Sequence, residues 1–315
     1  MSFSVFDLHC DTAYAMLNNQ VQQNLQRNRL HVDLERASVF PGYVQCFSCF
    51  TSPEDEFCKK VTAPIAFQMQ KNTLLTQLDE NRDRICLAYN AGDITRNQEA
   101  GMASAILTIE GTAGFYHDPG RLEELYCDGF RITTLGWNEE NCLVGSHLSN
   151  SGLSDRGREY VRRAQSLGMI VDVSHVSDTG FWDIVDITQT SVVATHSNSR
   201  RVHTHSRNLT DEMFMAICQT GGVVGINMYA QFLGENATVD TVCDHILHFI
   251  ELDPECRHIS LGGDLDGCEL LPCGFDGVQS YPLLAESLAR RGVSHKMISN
   301  LFWENALEVF ARCCT

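Results

Sequence analysis

Two short, apolar, β-branched runs, residues 169–173 and 191–195, each lead into a histidine, His175 and His196. Runs of this kind are how parallel strands covered on both faces read. Between them Phe181, Ile184, Val185 and Ile187 mark a helical stripe. The segment 168–208 therefore reads strand, helix, strand, and a right-handed crossover makes the two strands parallel. Both histidines then leave adjacent strands on the same rim. That geometry can hold a metal ion.

The rest of the chain repeats the pattern. Strand-like runs occupy residues 3–8, 43–50, 104–109, 129–135, 222–227 and 258–261, which with the first two makes eight. The run 85–88 is either a side strand or a loop. Helical segments are expected at 59–82, 155–167, 177–188, 239–252, 283–291 and 294–312, and after an N-cap at Thr210 with Met213, Phe214 and Ile217 as its buried face. No Pro/Gly/Ser-rich linker divides the 315 residues, 43% of them hydrophobic. A single (β/α)8 TIM barrel over residues 1–315 is the expected fold, ahead of two doubly wound domains.

Composition excludes several roles. A net charge of −17 disfavours nucleic acid, whose binding needs a basic surface. No run of 18 apolar residues exists, and the N-terminus lacks a basic region followed by an apolar one. A cytoplasmic protein with no membrane partner is expected. The 14 cysteines are scattered through strand- and helix-like runs, which fits reduced thiols better than a disulfide framework. Cys46 and Cys49 have CxxC spacing, but no second pair follows to complete a structural zinc site.

The polar residues gather at strand ends. His9 and Asp11 follow the first run, Glu110 the third, Trp137 the fourth, His175 and His196 the fifth and sixth, Tyr229 the seventh, and Asp264 with Asp266 the eighth. Residues i and i+2 of an extended chain project to one side, so His9 and Asp11 converge. A glutamate ending a buried strand is costly unless a cation meets it. Three imidazoles and several carboxylates suit zinc or a similar divalent ion, and they exceed one tetrahedral set. Two ions roughly 3.5 Å apart, sharing one carboxylate, would use them all, lowering the pKa of a shared water and polarising a carbonyl. Hydrolysis is the natural reaction class. The blander readings are that His203 and His205 are loop residues, His245 and His248 lie on a solvated helix, Asp266 bonds loop backbone, and Cys313 and Cys314 form a frayed tail.

Six motifs in order, DLHCDT, IEG, LGMIVDVSHVSD, THSNSR with SRNLTDEM, GGVVGINMY and GGDLDG, resemble the renal (membrane) dipeptidase family of the metal-dependent amidohydrolase superfamily. The resemblance runs from about Val5 to the chain's end. It implies a dinuclear zinc dipeptidase, with two Zn2+ per chain, acting on small dipeptides and tolerating a D-residue at the C-terminal position. By motif, His9 and Asp11 resemble the ligands of one zinc, His175 and His196 those of the other, and Glu110 the bridge. Asp264 resembles the residue that deprotonates the bridging water, and Arg207 the one that grips the substrate carboxylate. Trp137 stands where family members carry a histidine that polarises the scissile carbonyl, so substrate contacts are expected from Arg207, Trp137 and Tyr229 in a changed arrangement. No leader or C-terminal anchor signal like those of the animal membrane forms is read in the sequence, so membrane attachment is not expected. A homodimer is left open. The alternatives are an amidohydrolase acting on another small amide or lactam, or a metal-binding homologue with reduced turnover.

Overall fold

The computed structural model describes residues 3–18 and 24–315. The apolar runs form strands β1 (Val5–Cys10), β2 (Tyr43–Phe50), β3 (Ile85–Leu87), β4 (Ala103–Glu110), β5 (Phe130–Thr134), β6 (Ile170–Asp172), β7 (Val192–Val193), β8 (Val224–Ile226) and β9 (Ile259–Leu261). These strands pair with one another in parallel, in the order β7-β6-β5-β4-β2-β1-β9-β8. β7 meets β8 through Ala194 N to Val223 O (3.1 Å) and Gly225 N to Ala194 O (2.8 Å), which brings the eight strands round into a (β/α)8 barrel. β3 is the side strand. It pairs the start of β4, on Ala103–Ala105, while β5 pairs residues 107–109 of the same strand.

Helices cover the outside, and the chain's last helical stretch, His295–Ser299 through Asn305–Cys313, sets Trp303 and Phe310 against Phe6 near the start of β1. Burying an aromatic of this size stabilises the fold by roughly 1.5–3 kcal/mol. β1 carries one more residue than β2 between Asp7 and Cys10. That bulge breaks the two-residue alternation. Asp7 can therefore bond Tyr281 on a surrounding helix while His9, two residues on, turns to Glu110 in the barrel mouth.

The structure corrects the single helix over 59–82, the frayed end at Cys314 and the solvated His245. The helix over 59–82 is two helices, Glu56–Val61 and Ala63–Glu80, broken at Thr62 with φ 76°. Pro64 suits the first turn of the second helix but cannot continue the first, because its ring would strike the carbonyl four residues back. Cys314 is not part of a frayed end. It is buried, with Sγ 3.5 Å from the Gly168 carbonyl. Cys46 and Cys49 fall in separate hydrophobic clusters, three residues apart on one strand, so they share no ligand position.

His245 is also not solvated. It is fully buried on the helix Val239–Leu252, where Nδ1 accepts from Ser199 N (3.1 Å) and Nε2 donates to Leu233 O (3.0 Å). Burial pushes its pKa down to about 4. The imidazole is thus neutral in the fold and charged in the unfolded chain below its ordinary value of about 6.5. Its contribution is complete above about pH 6.5 and drains away as pH falls towards 4, by something on the order of 3 kcal/mol. Denaturant midpoints of wild type and His245→Gln, measured at pH 7.5 and 5, should therefore converge at the lower pH. A constant gap between the two proteins would show that His245 does not titrate this way.

Candidate active site

β1, β4, β9 and the turns after β6 and β7 deliver one cluster to the barrel mouth. His9 Nε2 lies 3.5 Å from Asp11 Oδ2, 3.2 Å from Glu110 Oε2 and 3.9 Å from Asp264 Oδ1. Glu110, the last residue of β4, turns its other oxygen to His175 Nε2 at 3.0 Å and His196 Nε2 at 3.8 Å. The two Nε2 atoms of His175 and His196 are 2.8 Å apart. The structure thus brings together all six residues singled out from strand ends as ligands or base, none more than 9% exposed.

Local backbone explains how they converge. His175 (φ 70°), Asp264 (φ 54°) and Asp266 (φ 70°) adopt the left-handed conformation that non-glycine residues avoid. The chain turns sharply after β6 and β9, reversing these side chains into the mouth. Each such residue costs about 1–3 kcal/mol, a strain that clusters at functional sites. Gly267, the last glycine of GGDLDG, is required by space. A Cβ there would stand 2.2 Å from Asp11 Oδ2 and 2.5 Å from Asp264 Oδ1.

Two buried aspartates hold the scaffold. Asp172 accepts from Ser174 N and Thr195 N at 2.9 Å each and from Thr195 Oγ1 at 2.5 Å, and Thr195 Oγ1 sits 2.8 Å from His196 Nδ1. That contact leaves His196 Nε2 facing the mouth. Asp7 accepts from His9 N and Gly263 N at 3.0 Å each, and from the Tyr281 hydroxyl. Neither belongs to the strand-end set. Their signal was an aspartate inside an otherwise apolar strand, which burial allows only when donors converge on it.

The donor set fits divalent metal ions. His9 Nε2 and Asp11 Oδ1 are buried without a hydrogen-bond partner among the described residues. His9, Glu110 and His196, and again His9, Asp11 and Asp264, bring ligand atoms within 4.8 Å of one another. Burial pushes Glu110 up to about 8, with Asp11 adding and His9 opposing. Burial likewise lifts Asp264 to about 7, His9 opposing and Asp11 adding. Burial alone would lower His9, but Glu110 and Asp11 outweigh it and raise the imidazole. His175 and His196 go down, by burial first and then by Arg207 and His9 respectively. Crowded carboxylates that resist ionising, beside the neutral imidazoles of His175 and His196, form a site that a cation completes.

Beside the cluster opens a cavity of about 330 Å³ whose wall includes Asp264, Trp137, Asn138, Tyr229, Phe232 and Phe50. Trp137 packs edge-on against Phe50 at 5.0 Å and lies 6.1 Å from the His175 ring. Tyr229 both lines the cavity and packs on the rim, its ring 4.8 Å from Phe232 and its hydroxyl donating to Glu269 at 2.8 Å. Arg207 lies behind this wall, in an adjoining crevice shared with His175. Its Nη2 donates to His196 O at 3.3 Å, its guanidinium is 5.4 Å from the Phe232 ring, and its Nε has no partner among the described residues. Asp266 bonds Thr12 Oγ1 (2.6 Å) and His31 N (2.5 Å), the loop role expected of it. His203 and His205 do not line the cavity. Asn227, the last residue of the seventh strand-like run, donates to Asp264 Oδ2 at 3.1 Å.

The model of the membrane dipeptidase family, peptidase family M19, matches residues 1–314. The chain belongs to that family. Among relatives, dipeptidase tcpJ of Claviceps purpurea is 30% identical over 298 residues, 89% of this chain and 68% of that protein. An uncharacterized dipeptidase of Schizosaccharomyces pombe is 36% identical over 214 residues, 66% of this chain, so the match spans about half (52%) of that relative's length. A solved structure of dipeptidase AC, a metallo peptidase of family M19, aligns with TM-score 0.88 and 25% identity over 100% of this chain and 99% of its own. The fold of a Rhodobacter sphaeroides metallo peptidase, liganded with a phosphinate mimic of the dipeptide L-Ala-D-Ala, agrees at TM-score 0.89 and 24% identity over 99% and 100% of the two chains. The (β/α)8 barrel is thus the fold of solved M19 dipeptidases, and no helix among the described residues of this family member is long and apolar enough to cross a membrane.

Proposed function

We propose that this chain, one barrel domain over its whole length, is a dinuclear zinc dipeptidase. The observation that carries the reading is the Glu110 carboxylate, which gives one oxygen to His9 and the other to His175 and His196. A carboxylate that faces two imidazole groups with separate oxygens would bridge two ions if both were bound. His9 and Asp11 would hold one, His175 and His196 the other. When bound, such a pair lowers the pKa of a shared water towards neutrality and polarises a carbonyl.

The chain's own groups supply the rest. Asp264, held by Asn227 and facing the cavity, takes the proton of the attacking water and returns it to the leaving amine. Arg207, buried with an unpaired Nε, grips the free carboxylate of the substrate. Trp137 and Tyr229 wall the cavity and bound the side chains that enter it. A cytoplasmic setting accords with fourteen cysteines that are all free thiols, and a dipeptide is the one partner this reading requires.

The direct test is hydrolysis of a panel of dipeptides by zinc-loaded protein, with D-residues at the second position in half of the panel. Cleavage of L,D as well as L,L dipeptides, with close to two equivalents of metal per chain, is the expected result. Glu110→Gln should lose most of that metal by elemental analysis, because a neutral amide cannot bridge two cations. A Glu110→Gln protein with both metals and full activity would remove the bridge from the scheme.

A further inference from the structure

We propose that the side-chain amide of Asn138 donates the hydrogen bond that holds the scissile carbonyl oxygen of the substrate, making Asn138 a catalytic residue. The inference rests on the dipeptidase reading above and adds a group to it. Asn138 lies four residues beyond the end of β5, in a stretch without regular structure, and lines the cavity beside Glu110, His175 and Trp137.

Its orientation is fixed by two imidazoles. Asn138 Oδ1 is 2.9 Å from His175 Nδ1 and 2.9 Å from His147 Nε2. With Nε2 of His175 left bare to ligate a metal ion, the single proton of the neutral ring sits on Nδ1, which makes the facing Asn138 atom the oxygen. His147 is fixed in turn. Its Nδ1 lies 2.7 Å from Ser206 Oγ, and its backbone N donates to His175 O at 2.8 Å. A carbonyl oxygen has two lone pairs, and both are taken. Among the described residues the amide nitrogen makes no hydrogen bond, and it is not one of the buried atoms left unsatisfied. Two N–H donors are therefore held open to the cavity, beside the carboxylate and imidazoles of the cluster, on a side chain that cannot rotate without breaking two bonds.

Such a donor suits an oxygen on which charge develops. As the water oxygen bonds to the carbonyl carbon, the π pair moves onto the carbonyl oxygen. When that pair returns, the C–N bond breaks and the nitrogen takes the proton relayed by Asp264. A fixed N–H donor binds the charged oxygen more strongly than the neutral carbonyl, so its effect falls on kcat.

Asn138→Asp separates donation from scaffolding, because it keeps an oxygen for both histidines and removes the N–H groups. Asn138→Ala removes both without adding charge. Metal content, kcat, KM and the Kd of a phosphinate dipeptide analogue, which carries tetrahedral oxygens, would be measured on zinc-loaded protein. Asn138→Asp should keep its metal, hold KM near wild type and lose roughly 10²–10³ in kcat, the range for one oxyanion donor. Phosphinate affinity should fall in both variants, and metal retention only in Asn138→Ala. Undiminished phosphinate affinity in a metal-replete variant would overturn the proposal and leave Asn138 as a positioning residue for His175. A wild-type protein that cleaves no dipeptide yet binds the phosphinate more tightly than its variants would sink the dipeptidase reading alone. One that neither cleaves nor binds would overturn both.

Discussion

Asp264→Asn is expected to keep its metal complement and lose roughly 10²–10⁴ in kcat, the usual contribution of a positioned general acid or base. The substitution is mild for the fold. Asp264 sits in left-handed backbone at φ 54°, and asparagine tolerates that region as well as aspartate does. Asn227 can still reach the new side chain. What disappears is the capacity to take a proton from water and release it to the leaving amine. Elemental analysis and steady-state kinetics on the same preparation decide the matter. Retention of more than about a tenth of the rate would place the base elsewhere, with Asp266 next to be tested. Loss of a metal equivalent along with the rate would instead make Asp264 a ligand, which its grouping with His9 and Asp11 permits.

Arg207→Ala should reduce kcat/KM for free dipeptides by about 30-fold to several thousand-fold, since removing one partner of a buried charge pair costs about 2–5 kcal/mol. The same substitution should matter little for dipeptide amides, which lack the carboxylate. That contrast separates recognition from damage, because a collapsed loop would impair both substrates alike. The guanidinium has the properties the role needs. It is 4% exposed, uses one donor on the His196 carbonyl and leaves Nε unpaired. It also lies behind the cavity wall, against Phe232, so a substrate carboxylate must reach past that ring. Equal losses for acid and amide would remove Arg207 from recognition and turn attention to Arg200, which already pairs with Asp178 at 2.6 Å, or to Arg201.

The barrel was legible because every strand is a short apolar run, and burial on both faces of a parallel sheet demands that composition. The cluster was legible for the same reason: a histidine or carboxylate directly after such a run has nowhere to go but the mouth. The reading weakened wherever position depends on contacts between distant segments. His245 sits on an ordinary amphipathic helix, and only the approach of Ser199 and Leu233 buries it. Phe50 and Phe232 line the cavity from segments about 180 residues apart, with no motif of their own. The bulge in β1, which lets Asp7 and His9 do different work, leaves no mark in the hydrophobic pattern. Asn138 and His147 lie in an aperiodic loop whose path is set by the histidine it touches.

The left-handed turns at His175, Asp264 and Asp266 carry an evolutionary consequence. Glycine would relax any of them at no steric cost and, at roughly 1 kcal/mol or more apiece, would make a sturdier chain. Relaxation at His175 or Asp264 would also delete a side chain that the mouth depends on, and at Asp266 the bonds to Thr12 and His31. Drift towards thermal robustness at these positions therefore leads downhill into silent barrels, and selection for turnover has to keep pushing the other way.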